Sequence, residues 1–173
     1  MEDFEEVYRL YYPRVSAFLY KLSGDSALSE ELAQETFYQA FRSFHRFRGD
    51  SSLFTWLAAI AKHVYYRHVG RKNIHNESIQ SLDALAEVYG IEMQTSADGP
   101  EETALRRETA LALRRALASL PEKYRDVVTL RVYAELPFSE IAAALKITEG
   151  SAKVMFFRAK KMLMEELKHE YPM

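Results

Sequence analysis

The chain has no cysteine anywhere in its 173 residues. That single absence excludes a disulfide framework, a thiolate zinc site and a cysteine nucleophile together, and it fits a reducing compartment. Also missing is any apolar run near the roughly 18 residues that a membrane-spanning helix needs. The start, MEDFEEVYRLYY, is acidic where a secretory leader would be basic and then apolar. No P-loop, no His-Glu-x-x-His segment and no Gly-x-Ser-x-Gly elbow occurs. Alternating runs of valine or isoleucine, the mark of strands, are almost absent. These gaps point away from an enzyme, a metalloprotein and a cofactor carrier, and toward a cytoplasmic protein that does not insert into membranes.

An excess of positive charge is lacking too. The net charge is −2 and the pI about 6.2, which at first sight argues against a nucleic-acid partner. Counted in blocks, the chain is strongly polar instead. Residues 1–35 carry 3 basic and 8 acidic side chains, 36–75 carry 7 and 1, 76–108 carry 2 and 8, and 109–173 carry 11 and 8. Two basic blocks separated by an acidic one fit two DNA contacts joined by a segment that avoids DNA. Ordinary solvated helix faces fit the same counts, so the motifs have to decide.

What the chain does have is helical periodicity. Apolar residues recur three and four apart almost throughout, which predicts an all-α fold. A first helix is expected over 4–22, broken or kinked at Pro13. A second, over 27–44, places Leu28, Leu32, Phe37, Phe41 and Phe44 on one core stripe. A third follows Gly49-Asp50-Ser51-Ser52 and turns Phe54, Leu57, Ile60, Ala61 and Val64 inward. Residues 73–100 shift to polar and turn-forming types and read as a flexible acidic linker, with one short helix at Leu82, Leu85 and Val88. Beyond it, helices are expected over 101–119, 122–134, 139–145 and 149–168. The expectation is two small helical domains, 1–73 and 101–173, with a linker over 74–100.

Two segments concentrate the chemistry. Residues 136–163 have helix-turn-helix spacing: a short helix with Ile141, Ala142 and Leu145 inward, a turn at Lys146-Ile147-Thr148, and a longer basic helix. In such a unit the second helix enters the major groove, its first half at the base edges and its cations on phosphates. Ala152, Phe156, Ala159 and Leu163 would face the core, leaving Ser151, Lys153, Val154, Met155, Phe157 and Arg158 outward, with Lys161 further along. A plain helical hairpin is the competing reading. The second segment, FHRFRGDSSLFTWL, brings aromatic and arginine side chains to a Gly-Asp-Ser-Ser loop. Single-stranded nucleic acid is held by such stacking surfaces beside cations. The plainer reading, which is preferred for Trp56, makes Ser51 or Ser52 an N-cap and Trp56 core. His63 and His68 lie five apart on different helix faces, with no third ligand, so no metal site is expected.

These residues resemble an extracytoplasmic-function sigma factor, the smallest kind of promoter-specificity subunit of bacterial RNA polymerase. The resemblance rests on SEELAQETFYQAF (29–41), FRGDSSLFTWLAAIAKH (47–63), LPEKYRDVVTLRVYAELPFSEIAAAL (120–145) and EGSAKVMFFRAKKML (149–163). It implies that the first domain (region 2) binds core polymerase and the −10 element and assists promoter opening, and that the second (region 4) binds the −35 element. It places contact with the clamp helices of the polymerase beta-prime subunit at Glu31, Gln34 and Glu35. The second domain would meet the flap of the beta subunit. A flipped −10 base would fall to Arg48, Gly49, Asp50, Ser51 and Ser52, with Lys62, His63, Arg67, Arg71 and Lys72 beside it. An anti-sigma factor is the regulator the family implies, and the acidic linker would thread a basic channel of the polymerase.

The sequence departs from the family at several places. Glu31 stands where the family usually has Asp, His63 where it commonly has Asn, and Arg67 where it commonly has Asp. In the recognition helix, Val154, Met155 and Phe157 replace a usual Ser-Arg pair and a His. Polar base readers have become apolar, which suits thymine methyl groups or a protein partner. The alternative to a sigma factor is a stand-alone dimeric helix-turn-helix regulator. Such proteins bind through a strongly basic surface, which this chain lacks overall.

Overall fold

The computed structural model describes residues 3–75 and 100–170, with side chains over 3–70 and 104–169. The first half consists of α1 (Phe4–Ser23), α2 (Ser26–Ser43), a 3₁₀ turn (Phe44–Arg46) and α3 (Leu53–His75). The second has α4 (Pro100–Ser119), α5 (Glu122–Val128) running into a π-helical turn (Thr129–Tyr133), then α6 (Phe138–Leu145) and α7 (Glu149–Glu170). No strand occurs among the described residues, so the expected all-α, two-part architecture with a helix-turn-helix is what forms. The linker core at 76–99, with the short helix expected at Leu82–Val88, lies outside the described residues.

Local chemistry sets the corner between α1 and α2. α1 ends where Gly24 turns left-handed at φ +72°, its amide donating to the Tyr20 carbonyl at 2.8 Å, a conformation that costs glycine nothing. One residue later the Asp25 carboxylate accepts from the Leu28 amide at 3.1 Å and caps α2. Asp25→Ala should therefore lower stability by about 1 kcal/mol. Urea denaturation checks this, and an unchanged midpoint would mean that the cap contributes nothing.

Two expectations are corrected. α1 continues through Pro13 as one helix, so the break allowed there by sequence does not occur. Pro13 and Arg9 are both solvent-exposed, so the Arg9 carbonyl that loses its helical donor faces water, while Val7, Val15, Phe18 and Leu19 hold both sides of the helix to the core. On α2, Leu28, Leu32 and Phe37 are buried as expected, but Phe41 is 63% exposed. With about 3.6 residues per turn, Phe41 falls at the margin of the buried stripe through Ala33 and Ala40, next to Gln34. Phe44 sits in the 3₁₀ turn, partly buried.

The halves are packed together. One apolar cluster runs from Val15, Leu19 and Leu57 in the first half to Leu111, Leu130 and Ile141 in the second. A smaller one, including Leu117, Leu120, Ala159 and Leu163, belongs to the second half alone. Polar contacts stitch the seam. Arg114 Nε donates to the Leu22 carbonyl at 2.9 Å. Tyr66 and Thr129 share a 2.7 Å hydrogen bond, and because the Thr129 hydroxyl donates to the Arg125 carbonyl at 2.8 Å, Tyr66 is the donor of that bond. Burial holds the Tyr66 hydroxyl well above its ordinary pKa, so it stays protonated and able to donate.

Candidate functional site

Three surfaces carry the residues singled out by sequence. The first is the solvent side of α2. Glu31, Gln34 and Glu35 are all exposed there, because the opposite side, with Ala33, Thr36, Phe37 and Ala40, is buried against α1 and α3. Glu35 accepts from Gln39 Nε2 at 2.9 Å and lies 3.9 Å from Arg67 on α3. The stripe continues into Tyr38 and Phe41, 57% and 63% exposed. Both were missed as surface residues, although Tyr38 stands four residues after Gln34, the spacing that shares a helix face.

The second surface is the loop before α3. Arg48, Gly49 and Asp50 are exposed, Ser51 is half-buried and Ser52 exposed. Gly49 takes φ +79° and has nothing within 4 Å of a built Cβ, so the loop turns in open space. Ser52 is the N-cap of α3: its Oγ accepts from the Thr55 amide at 3.2 Å and bonds Thr55 Oγ1 at 2.9 Å. Behind the loop stands an aromatic wall. Phe47 lies 5.3 Å from Trp56 and 6.5 Å from Phe44, nearly parallel to the latter. Trp56 is partly buried on this wall, between the stacking and core readings. Further along α3, His63 and Arg67 are exposed, and Arg71 and Lys72 lie within the helix with side chains outside the described set. Lys62 differs: it is buried, and its ammonium sits 2.8 Å from Asp126 Oδ2 of α5.

The third surface is the helix-turn-helix. α6 ends at Lys146, which is left-handed at φ 57°, and the Ile147 amide donates to the Ala142 carbonyl at 3.0 Å. Thr148 then caps α7 by accepting from the Ser151 amide at 3.0 Å. Ala152 and Ala159 are fully buried; their small side chains let α7 lie close against the preceding helices. The other side of α7 presents Ser151, Lys153, Val154, Phe157, Arg158 and Lys161 to solvent. Met155 is placed differently from its neighbours: half-buried, it lines a surface groove of ≈ 430 Å³ with Leu145 and Ile147. The sequence reading turned Met155 outward toward DNA; in the fold it is half-buried against the turn instead. Lys153 also pairs with Glu149 at 3.6 Å, an exposed i,i+4 contact worth a few tenths of a kcal/mol.

The 48–52 loop and α7, the two surfaces expected from sequence to meet DNA, are not equally open. Glu140, on the first helix of the helix-turn-helix, accepts a 2.9 Å hydrogen bond from the Ser52 amide, at the loop end where α3 begins. Among the described residues, no such hydrogen bond from the first half reaches the exposed side of α7. Among the described residues, no cluster of His, Asp or Glu could hold a metal ion, and no helix is long and apolar enough to cross a membrane.

A helical half with an aromatic-walled loop, followed by a half ending in a helix-turn-helix with an exposed basic second helix, defines a DNA-binding transcription factor of two regions. Sequence comparison identifies both regions. The description "Sigma-70 region 2" matches residues 7–74, and "Sigma-70, region 4" matches residues 110–163. The chain is 28% identical to RNA polymerase sigma factor YlaC of Bacillus subtilis over 166 residues, 96% of this chain and 92% of that one. It is 32% identical to the ECF RNA polymerase sigma-E factor of Escherichia coli over 154 residues, 83% of this chain and 74% of that one. Its fold is similar to that of the sigma factor RpoE solved in complex with the anti-sigma factor NepR from Bartonella quintana, with a TM-score of 0.55 at 23% identity over 97% of this chain and 98% of that one. The chain belongs to the sigma-70 family, as an extracytoplasmic-function sigma factor. It binds core RNA polymerase and directs it to promoters.

Proposed function

We propose a division of labour among the three surfaces. Glu31, Gln34 and Glu35, extended by Tyr38 and Phe41, bind the clamp helices of the beta-prime subunit, while the second half docks on the flap of the beta subunit. The 48–52 loop with its aromatic wall takes the −10 strand and an unstacked base, flanked by Lys62, His63, Arg67, Arg71 and Lys72. α7 reads the −35 element through Ser151, Lys153, Val154, Met155, Phe157, Arg158 and Lys161. Domain limits of 1–73 and 101–173 follow from this division, and the protein works in the cytoplasm, with the chemistry left to the polymerase.

The observation that carries this reading is the sided α7. Its buried side is made of alanines and a leucine, and its open side holds cations with apolar residues between them. That is the arrangement of a groove-binding helix, with phosphate contacts positioning and the residues between them meeting base edges. Regulation by an anti-sigma factor is part of the proposal. The relative solved with NepR supports it, as does the exposed aromatic pair at Tyr38 and Phe41, an apolar patch of the kind that marks protein contacts.

Transcription from a promoter library by core polymerase, with and without the protein, tests the assignment. Transcripts that share −10 and −35 motifs are expected only when it is present, and loop and α7 variants should each change their own element. A loop variant that alters the −35 preference would overturn the division.

A further inference from the structure

We infer that Met155 is an oxidation site, at which a hydroperoxide turns the thioether into a sulfoxide and so weakens reading of the −35 element. This rests on the proposed role of α7 in that reading. With no cysteine in the chain, oxidisable sulfur is confined to methionine, and all three methionines among the described residues, Met155, Met162 and Met164, lie on α7. Their surroundings differ. Met164 is 56% exposed, so its sulfoxide would stay in water and change no packing. Met162 is half-buried further along α7, against the smaller apolar cluster. Of the three, Met155 is the one that lines the surface groove, beside Leu145 at the end of α6 and Ile147 in the turn. There it is both within reach of solvent and packed against the segment that positions α7.

The step balances with the peroxide as sole oxidant. The sulfur lone pair attacks one peroxide oxygen, and the O–O bond breaks as the S–O bond forms. Sulfur is oxidised by two electrons, and the other oxygen takes a proton and leaves as water or an alcohol. A thioether has no proton to lose, so unlike a thiol it needs no cation beside it to become the nucleophile. The product is polar where the reactant was apolar. A sulfoxide oxygen buried without a donor is costly, and the side chains of Leu145 and Ile147 supply none. Lys123, which lines the same groove, does supply one, so the oxidised side chain is drawn off the apolar wall. That withdraws packing from a turn of narrow geometry, with Lys146 left-handed at φ 57° and the Thr148 hydroxyl 3.0 Å from the Ser151 amide. Lys153 and Arg158 remain exposed on α7, so phosphate contact persists while base reading is lost.

The test uses the full chain. The parent, Met155→Leu, and Met162→Leu combined with Met164→Leu are each treated with hydrogen peroxide, cleared of it with catalase, and mapped by peptide mass for added oxygen. Each is then assembled with core polymerase and compared with its own untreated form. Affinity is measured for a promoter and for the same promoter with its −35 element scrambled. The oxidised parent and the oxidised double variant should lose about tenfold in affinity for the intact promoter, the size of one lost base contact, and little for the scrambled one. Met155→Leu should keep the preference of its own untreated form. Methionine sulfoxide reductase should restore the parent, since this oxidation is reversible. The inference is overturned if Met155 gains no oxygen while Met164 is fully converted, or if it gains one with the preference intact. It is overturned equally if Met155→Leu loses as much as the parent, or if oxidation removes assembly with core enzyme in place of −35 preference. If the untreated parent binds the two promoters equally, the assignment of α7 to the −35 element fails, and the inference falls with it.

Discussion

Reversing the charge of the α2 stripe with Glu31→Lys and Glu35→Lys is expected to weaken assembly with core polymerase on the order of 100-fold and to abolish promoter-dependent transcription, because like charges placed against a complementary surface cost several kcal/mol. The fold should survive. Both side chains are exposed, and substitutions at such positions usually change stability by no more than about 0.5 kcal/mol. The Glu35–Arg67 contact that would be lost is long at 3.9 Å and nearly half-exposed on both sides, so it contributes little. A fluorescence titration with core enzyme, run beside thermal unfolding of the free variant, checks both halves of the expectation. Wild-type affinity in the folded variant would move the polymerase contact off the acidic part of the stripe and onto Tyr38 and Phe41. A Phe41→Ala variant measured in the same titration distinguishes that outcome, since an aromatic anchor removed from an interface commonly costs more than a rim charge.

Much of the fold was legible because its signals are local. The caps at Asp25, Ser52 and Thr148 sit within three residues of the amides they receive, and the stripe of Ala152, Ala159 and Leu163 is spaced for one helix face, so helix starts and the helix-turn-helix follow from sequence. Met155 and Phe41 show where periodicity stops. It assigns a residue to a side of a helix but does not say how wide the neighbouring helix is, and both residues stand at the margin of a buried stripe. Pro13 was read as a break or kink because its local cost is certain, whereas the long-range packing of Val7 and Val15 on either side, which keeps the helix whole, leaves no mark near Pro13. The seam between the halves was invisible for a related reason. Lys62 and Asp126 are 64 positions apart, and each alone looks like a solvated charge. Only packing that brings α3 beside α5 turns them into a buried pair. Lys62 thus reads in sequence as a phosphate contact, whereas in the folded chain it is the buried partner of a carboxylate.

On α7 the largest change in base preference is expected from Val154→Ala combined with Phe157→Ala. These residues are 48% and 64% exposed and three apart on one helix face, where side chains that touch thymine methyls would sit. Truncating them should relax −35 selectivity by about 10- to 100-fold at one or two base positions, the usual effect of losing a specific base contact. Lys153→Ala and Arg158→Ala should behave differently. They remove phosphate partners, so affinity should fall across all sequences and the salt slope should drop by about 1 for each, with the preferred sequence unchanged. Met155→Arg is a poorer probe than its place in the helix suggests. Met155 is half-buried beside Leu145 and Ile147, so a cation there disturbs the packing of the turn before it meets DNA. Binding-site selection with each variant, repeated at two salt concentrations, separates the classes. If Val154→Ala with Phe157→Ala keeps the parent base preference and salt slope, the exposed apolar pair is not reading thymine. It would then belong to a protein-binding patch, and the same variant should lose affinity for the anti-sigma partner instead.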